Sequence, residues 1–261
     1  MRYREIAPPK DLQNVILSYW EFAIPDDAQS PIEAEVFPDG CVSLFYIRNI
    51  VRGIHIAGLS GLYLESIARP VFAGDTIWGV RLSPAAATII LRTDASQMVD
   101  RSVFEQDSFP HLLIGLATLL QRSKTFEEAV TIFESRLRDV MLGVDGLDDE
   151  VAEAVRTIDE RFGEIRVGEL AKTLGLSTRQ FQRRFKASSG LSPKQYIRAR
   201  RIRAVAVHLV EREGYNLADR AAEFGFADQS HMSHEFSVVT KRSPNSFARN
   251  VAKIDHGNLV K

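Results

Sequence analysis

The sequence predicts an α+β chain in which β-structure leads, a short helical stretch follows, and an all-helical half closes the molecule. Three observations carry the prediction. The first hundred residues contain a succession of short runs rich in β-branched and aromatic residues, punctuated by Gly, Pro, Asp and Asn. From Ala85 the apolar residues recur at helical spacing instead. In the last hundred residues two segments resemble one another at an offset of 51, and each reads helix, glycine turn, helix, Ser-Pro.

The strands are read, in order, from "VILSYWEFAI", "AEVFPDG", "CVSLFYI", "IHIAGL" and "TIWGVRL". Two helical segments follow, "FPHLLIGLATLLQRS" and "TFEEAVTIFESRLRDVML". In the second, Phe126, Val130, Phe133, Leu137 and Val140 are spaced four, three, four and three, which sets them on one helix face. That stripe either packs on its own domain or forms a seam with a second copy. "LGVDGLDDE", with two glycines and four acids, reads as a linker. Asp148 or Asp149 then caps the next helix, "EVAEAVRTIDERF", whose first turn is suitably acidic.

Composition narrows the function classes. Apolar content of 45% and charged content of 26% suit a soluble globular protein. No apolar run is long enough to span a bilayer. The N-terminal "MRYREIAPPKDLQ" has arginines but lacks the apolar run of a secretory signal. A single cysteine, Cys41, excludes an intramolecular disulfide and a cysteine-cluster metal site, and a reducing cytoplasm is the simplest setting. Cys41 follows a Pro-Asp-Gly turn and reads as a small buried hydrophobe or as a thiol sensor. His55 and His111 stand alone, and residues 1–140 show no nucleophile–base pair. No metal, cofactor or catalytic residue is therefore read, and the chain is not read as an enzyme.

The net charge of −1 conceals an asymmetry. Residues 151–261 hold 20 Lys or Arg against 12 Asp or Glu, whereas residues 1–150 hold 13 against 22, so the halves carry +8 and −9. The basic charge is concentrated in "STRQFQRRFKASSGLSPKQYIRARRIR", Ser177 to Arg203, with nine Lys or Arg and no acid. Between Glu169 and Glu211 there is no acid at all, where the chain-wide frequency would place about five. An exposed helix normally mixes in acids for i,i+4 pairs. Excluding them favours a partner whose phosphates supply the negative charge.

In the repeat, Phe185 matches Phe236, Ser192-Pro193 matches Ser243-Pro244, Tyr196 matches Phe247 and Arg198 matches Arg249; Ala171 and Gly175 match Ala221 and Gly225 at an offset of 50. Each unit reads as a helix-turn-helix, about 167–186 and 217–237. Leu170, Leu174, Leu176, Phe181 and Phe185 are core positions of the first. Gly175 serves a turn that needs positive φ, and Ser177 with Gln180 makes a capping box. Thr178, Arg179, Gln182, Arg183 and Lys186 are left facing out. The second unit exposes Gln229, Ser230, His231, Ser233 and His234, with Asp228 at the N-cap. His231 and His234 have metal-site spacing without a third ligand and read as polar contacts. Ser192-Pro193 starts a linking helix that runs to about Glu213. Ile202, Ala206 and Leu209 form its apolar seam, while Arg198, Arg201 and Arg203 reach outward. Lys194 and Arg198 near its start are assigned to phosphates.

The paired units, "LSTRQFQRRFKASSGLSPKQYIRARRIRAV" and "AAEFGFADQSHMSHEFSVVTKRSPNSFAR", resemble the AraC-type (AraC/XylS) transcriptional regulators over about 100 residues. The resemblance implies two helix-turn-helix units joined by a long helix, each inserting a recognition helix into the major groove of double-stranded DNA. By position it implies that Arg179, Gln182 and Arg183 read bases in the first unit, and Gln229, Ser230, His231 and His234 in the second. Two residues depart from the pattern. Lys241 stands where glycine is usual, which implies a tight or strained turn. Arg220 stands where an aliphatic residue is usual, which implies a weaker or rotated second unit. "EVFPDGCVSLFY" and "GVRLSPAAA" resemble the leading domain of a subset of these regulators, which implies a cupin-like β-domain followed by helices, with an undefined effector.

The expected organisation is a sensory or dimerisation domain over 1–142, a linker over 143–150 and a DNA-binding domain over 151–255. The resemblance adds RNA polymerase, a small-molecule effector and a second copy of the chain to the expected partners; no membrane partner is expected. Two other classes compete. An enzyme or ligand-binding module with a nucleic-acid-binding tail would show a catalytic cluster in residues 1–140. A purely structural DNA-bending protein would need no acidic N-terminal half.

Overall fold

The computed structural model describes residues 1–105, 110–142, 146–211, 217–252 and 254–256. Its strands are β1 (Arg2–Ile6), β2 (Ile16–Ala23), β3 (Ile32–Val36), β4 (Ser43–Asn49), β5 (Ile54–Ser60), β6 (Ile67–Val71), β7 (Thr76–Leu82), β8 (Ser102–Phe104) and β9 (Asp255–His256). Seven of them form a sheet in the order β8-β5-β4-β7-β2-β1-β9; β3 and β6 pair separately. The ladders are antiparallel except that of β1 with β9.

Cross-strand partners share a face of a sheet. The registers Tyr19↔Val80, Leu44↔Val80 and Tyr46↔Trp78 therefore gather five large side chains on one face. All five are buried. Helices α1 (Ala87–Leu91), α2 (Pro110–Leu113), α3 (Leu116–Leu120) and α4 (Phe126–Met141) cover that face with Ile90, Leu113, Leu116, Leu120, Phe133 and Leu137. Each such side chain contributes about 1.5–3 kcal/mol on burial. The Phe126–Val140 stripe thus packs on its own domain, with Phe126, Phe133, Leu137 and Val140 in the core, and offers no seam to a second copy. "FPHLLIGLATLLQRS" makes two short helices rather than one, because Gly115 between them has φ +68°.

The helical half comprises α5 (Asp149–Glu160), α6 (Val167–Thr173), α7 (Thr178–Ser189), α8 (Pro193–Glu211), α9 (Leu217–Glu223), α10 (Gln229–Thr240) and α11 (Pro244–Val251). Asp148 caps α5 by accepting from Val151 N at 3.0 Å. The helix therefore takes Asp149 and Glu150 from the expected linker; residues 143–145 of that linker lie outside the described residues. The expected end of α8 near Glu213 lies outside them too. Val155, Ile158, Leu170, Phe181, Phe185 and Tyr196 form the core of the first unit; Ile202, Val205, Met232, Phe236 and Phe247 form that of the second. The linking helix α8 supplies residues to both.

Neither core respects a boundary near residue 143. Leu191 is buried in the cluster beneath the sheet, while Cys41 and Ala85 are buried in that of α5–α8. Phe37 meets Phe247 edge-on at 6.0 Å. The final strand β9 lies on the outer edge of the N-terminal sheet, so the chain's described end belongs structurally to its beginning. Among the described residues no helix is long and apolar enough to cross a membrane.

Candidate nucleic-acid interface

The two helix-turn-helix units are built by matching hydrogen bonds. In the first turn Gly175 has φ +68° and Leu176 N donates to Ala171 O at 2.9 Å; in the second Gly225 has φ +65° and Phe226 N donates to Ala221 O at 2.9 Å. Ser177 caps α7 in a capping box with Gln180, and Asp228 caps α10 by accepting from His231 N at 2.7 Å. At the far ends Ser189 Oγ donates to Phe185 O at 2.7 Å and Thr240 Oγ1 to Phe236 O at 2.8 Å. The next residue is left-handed in each, Gly190 at φ +79° and Lys241 at φ +60°. Lys241 thus takes a conformation that costs an L-residue about 1–2 kcal/mol and glycine almost nothing.

The cores fix which way each second helix faces. Phe181 and Phe185 are buried under α7, Met232 and Phe236 under α10. Thr178, Arg179, Gln182, Arg183 and Lys186 are exposed on α7; Gln229, Ser230, His231 and His234 are exposed on α10, and Ser233 is half-buried. Among the described residues Arg179, Arg183 and Lys186 are in no ion pair. Their neighbour Arg184 is different. It grips Asp148 at 2.7 and 2.8 Å and also pairs with Glu150, tying α7 to the start of α5. The acid-free stretch therefore finds two of its counter-charges just outside itself. His231 Nδ1 accepts from Ala227 N at 3.4 Å, which leaves Nε2 as the donor of the neutral ring.

Lys194 is exposed at the first turn of α8, but the three arginines read as reaching outward do not do so. Arg198 pairs with Glu235 of α10 at 2.7 Å, joining the linking helix to the second unit. Arg201 donates to Gly163 O at 2.8 Å, and its guanidinium lies 5.4 Å from the Phe226 ring centroid. Arg203 reaches Glu5 of β1 at 2.9 Å. Arg200 is buried against Asp159 at 2.6 Å. Arg220 is buried at 2% exposure, so the position keeps its inward orientation despite the charge.

The N-terminal half grips the turn after each recognition helix. After α7, Gly190 lies so close to Ala95 and Ser96 that an added Cβ would sit 2.5 Å from their backbone, and Thr88 Oγ1 donates to Ala187 O at 2.8 Å. After α10, Ser66 N donates to Val239 O at 2.7 Å, Glu65 pairs with Lys241 at 2.5 Å, and Glu35 pairs with Arg242. None of Glu5, Glu35, Glu65, Lys241 and Arg242 is marked as an interface residue by pattern, because each looks like an ordinary solvated charge. The opposite charges of the two halves were the available signal.

The other singled-out residues are structural. His55 Nδ1 and Tyr46 Oη are 2.6 Å apart, and His111 Nε2 is 2.8 Å from Ile90 O. Burial pushes the Cys41 thiol well above its usual range, so it is an uncharged core group rather than a thiolate. Among the described residues no three His, Cys, Asp or Glu side chains gather as metal ligands.

A strand-rich N-terminal half joined to two capped helix-turn-helix units with exposed second helices, the first of them acid-free, defines a DNA-binding protein. Residues 170–250 match the profile of a helix-turn-helix domain, and residues 4–104 that of a domain of unknown function (DUF6597). The chain therefore carries a helix-turn-helix domain behind an N-terminal domain of unknown function. Among solved structures it is similar to the C-terminal domain of AraT, a response regulator from Geobacillus stearothermophilus (23% identity, 41% of this chain and 88% of that one, TM-score 0.38). It is also similar to a transcriptional regulator with an AraC-type DNA-binding domain from Chromobacterium violaceum (22% identity, 40% and 94%, TM-score 0.37). ToxT from Vibrio cholerae is similar over more of the chain (12% identity, 88% and 98%, TM-score 0.49). No curated protein matches the chain.

Proposed function

We propose that one copy of the chain reads two short elements of double-stranded DNA in successive major grooves. Arg179, Gln182 and Arg183 contact base edges in the first element; Gln229, Ser230, His231 and His234 do so in the second. Thr178, Lys186 and Lys194 hold phosphates. Arg198 contributes through Glu235, by fixing the angle between α8 and α10, rather than through phosphate. The carrying observation is that both recognition faces stand exposed while Phe181 and Phe185 of α7 and Met232, Phe236 and Val239 of α10 are engaged in cores. Residues 1–142 act as the sensory domain and 151–255 as the DNA-binding domain, with 143–150 between them. An effector bound by the first and RNA polymerase touched by the assembled complex complete this reading. DNA binding places the action in the compartment that holds the DNA.

The test is selection of bound sequences from a random duplex pool with the full-length chain. Two conserved blocks about 10 bp apart are expected. Recovery of one block, or of no sequence preference, would sink the bipartite reading.

A further inference from the structure

The two recognition helices carry different kinds of charge. At the offset of 51 that pairs Phe185 with Phe236, His234 stands where the first unit has Arg183, and His231 where it has Gln180. Over Gln229–Thr240 the helix α10 has no Lys or Arg, so its exposed face carries two imidazoles in place of the permanent cations of α7. They are three residues apart, about one turn along the same face. Imidazole is the side chain that ordinarily gains its charge between about pH 5 and 8.

The charges around α10 are already engaged with one another. His231 Nδ1 accepts from Ala227 N at 3.4 Å, and its ring stands edge-on to Phe226 at 5.6 Å. A proton on Nδ1 would oppose that N–H, so the charged ring turns outward from Ala227. Asp228 is occupied at the helix cap by His231 N, and Glu235 is held by Arg198 of α8 at 2.7 Å. Arg201 of α8 is turned to Gly163 O and the Phe226 ring, with Glu164 packed against the Gly225 turn. On α9, Glu223 lies 3.7 Å from His208, Arg220 is buried and Asp219 is exposed. At the far end of α10 Glu65 is taken by Lys241 and Glu35 by Arg242. Lys194 of α8 and Arg249 of α11 are exposed. Among the described residues neither His231 nor His234 pairs with a carboxylate. A charged ring thus finds its counter-charge in the partner, not in the protein.

We propose that the second unit is a proton-dependent reader: His234 and His231 take up protons as α10 enters the major groove, and the imidazolium pair supplies there the cations that Arg179 and Arg183 supply in the first unit. The proposal rests on the two-element reading of DNA. A neutral ring offers one N–H, enough for a single base-edge acceptor. A charged ring offers two, and its bonds to phosphate oxygens or to a guanine edge are charge-assisted. Because the duplex stabilises the charged form, binding and protonation favour one another. The second element is thus gripped loosely at alkaline pH and firmly at mildly acid pH. The first, held by arginine and lysine, is indifferent over the same range. The protein therefore adds the second block to its site as pH falls.

The test uses the full-length protein and blocks selected at pH 6. Affinity is measured for two duplexes, one with both blocks and one with the second block scrambled, at pH 6, 7 and 8 and constant ionic strength. From pH 8 to pH 6 affinity for the two-block duplex should rise by about fivefold or more, and that for the scrambled duplex by less than about twofold. His231→Gln and His234→Gln keep a neutral donor; each should lose part of the rise, and the double variant all of it. Both positions are exposed, so the substitutions leave the core of the unit intact. His234→Arg, a permanent cation, should hold at pH 8 most of the affinity that the parent reaches at pH 6. A rise that persists in the double variant comes from another group, such as His208, and overturns the proposal. So does a contribution of the second block that is equal at every pH, which leaves the two-element reading standing. Equal affinity for both duplexes at every pH overturns that reading and the proton dependence with it.

Discussion

At the scale of single residues, the side chains of α7 divide by what already holds them. Arg184 is pinned by Asp148 and Glu150, whereas Arg183, its neighbour, is exposed and in no ion pair among the described residues. Arg183, like Arg179, is thus open to a bidentate contact with a guanine edge. Arg183→Ala should cost about 1–3 kcal/mol at the selected site and relax preference at one base pair. Lys194→Ala should weaken all sequences alike and lower the slope of log affinity against log salt by about one. Affinities for the selected site and for single-base variants at several salt concentrations separate the two, and retained preference in Arg183→Ala would show that α7 is not the reading helix. Lys241 tests conformation instead of contact. Glycine is relieved of the left-handed cost, while the exposed Lys241–Glu65 pair is worth at most about 1 kcal/mol. Lys241→Gly should therefore stabilise the protein by roughly 0.5–1 kcal/mol in urea unfolding. A loss of stability would mean that the ion pair outweighs the backbone.

At the scale of elements, β1 and the turn after α7 connect the halves, and each can be broken separately. Gly190→Ala adds a Cβ against the Ala95–Ser96 backbone at positive φ and should destabilise by at least about 1–2 kcal/mol. Lysine at the matching position of the second unit bears the left-handed cost alone, so a loss beyond about 1–2 kcal/mol belongs to the docked neighbour. For β1 the signature is acid sensitivity. Burial pushes the Glu5 carboxyl up, but Arg203 and Arg81 outweigh it and hold its pKa at about 2, below the ordinary 4.5. A carboxylate whose folded pKa is depressed contributes stability that is present above its unfolded pKa and lost as pH falls through the folded one. Melting temperatures at pH 6 and pH 3 should therefore fall further for the parent than for Glu5→Gln; equal falls would remove Glu5 from the interface. These elements also show what the sequence made legible. β2, β5 and β7 are compact β-branched and aromatic runs, and the helix-turn-helix frame announces itself through Gly175, Ser177 and Ser192-Pro193. β1 was hidden because "RYREI" places charge on both faces, Arg2 and Arg4 for Glu21 and Glu5 for the buried network. β6 contains Pro70, which is confined to edge strands, and the two residues of β9 carry no pattern. The recognition face could be read because helix periodicity separates Phe181 and Phe185 from their neighbours. The partners of Arg198 and Arg203 could not, since they lie 37 and 198 residues away in sequence.

At the scale of the whole molecule, the opposite charges of the two halves meet at the turns that follow the recognition helices. Glu35 and Glu65 hold Arg242 and Lys241 beyond α10, and the Ala95–Ser96 turn seats Gly190 beyond α7. The N-terminal half therefore bridges the two units independently of α8, whose 19 residues span about 28 Å at 1.5 Å each. One turn of duplex rises about 34 Å. Rod and bridge together should hold the recognition helices to one spacing. The first element should dominate affinity, because α7 carries Arg179, Arg183 and Lys186 while α10 has no Lys or Arg. Inserting 5 bp between the elements turns the second to the far side of the duplex and should abolish its contribution. Removing the bridge should soften that rule. In a Glu35→Gln, Glu65→Gln double variant the second unit is held by α8, the Ser66–Val239 hydrogen bond and the Phe37–Phe247 contact, with both ion pairs gone. Insertions of 1 or 2 bp should then be tolerated better than by the parent, with affinity for the native spacing little changed. The measurement is relative affinity across duplexes with 0, 1, 2 and 5 inserted base pairs. A parent protein indifferent to the 5 bp insertion would show that the second unit does not read DNA from a fixed position. A double variant as strict as its parent would place the whole of the spacing rule in α8.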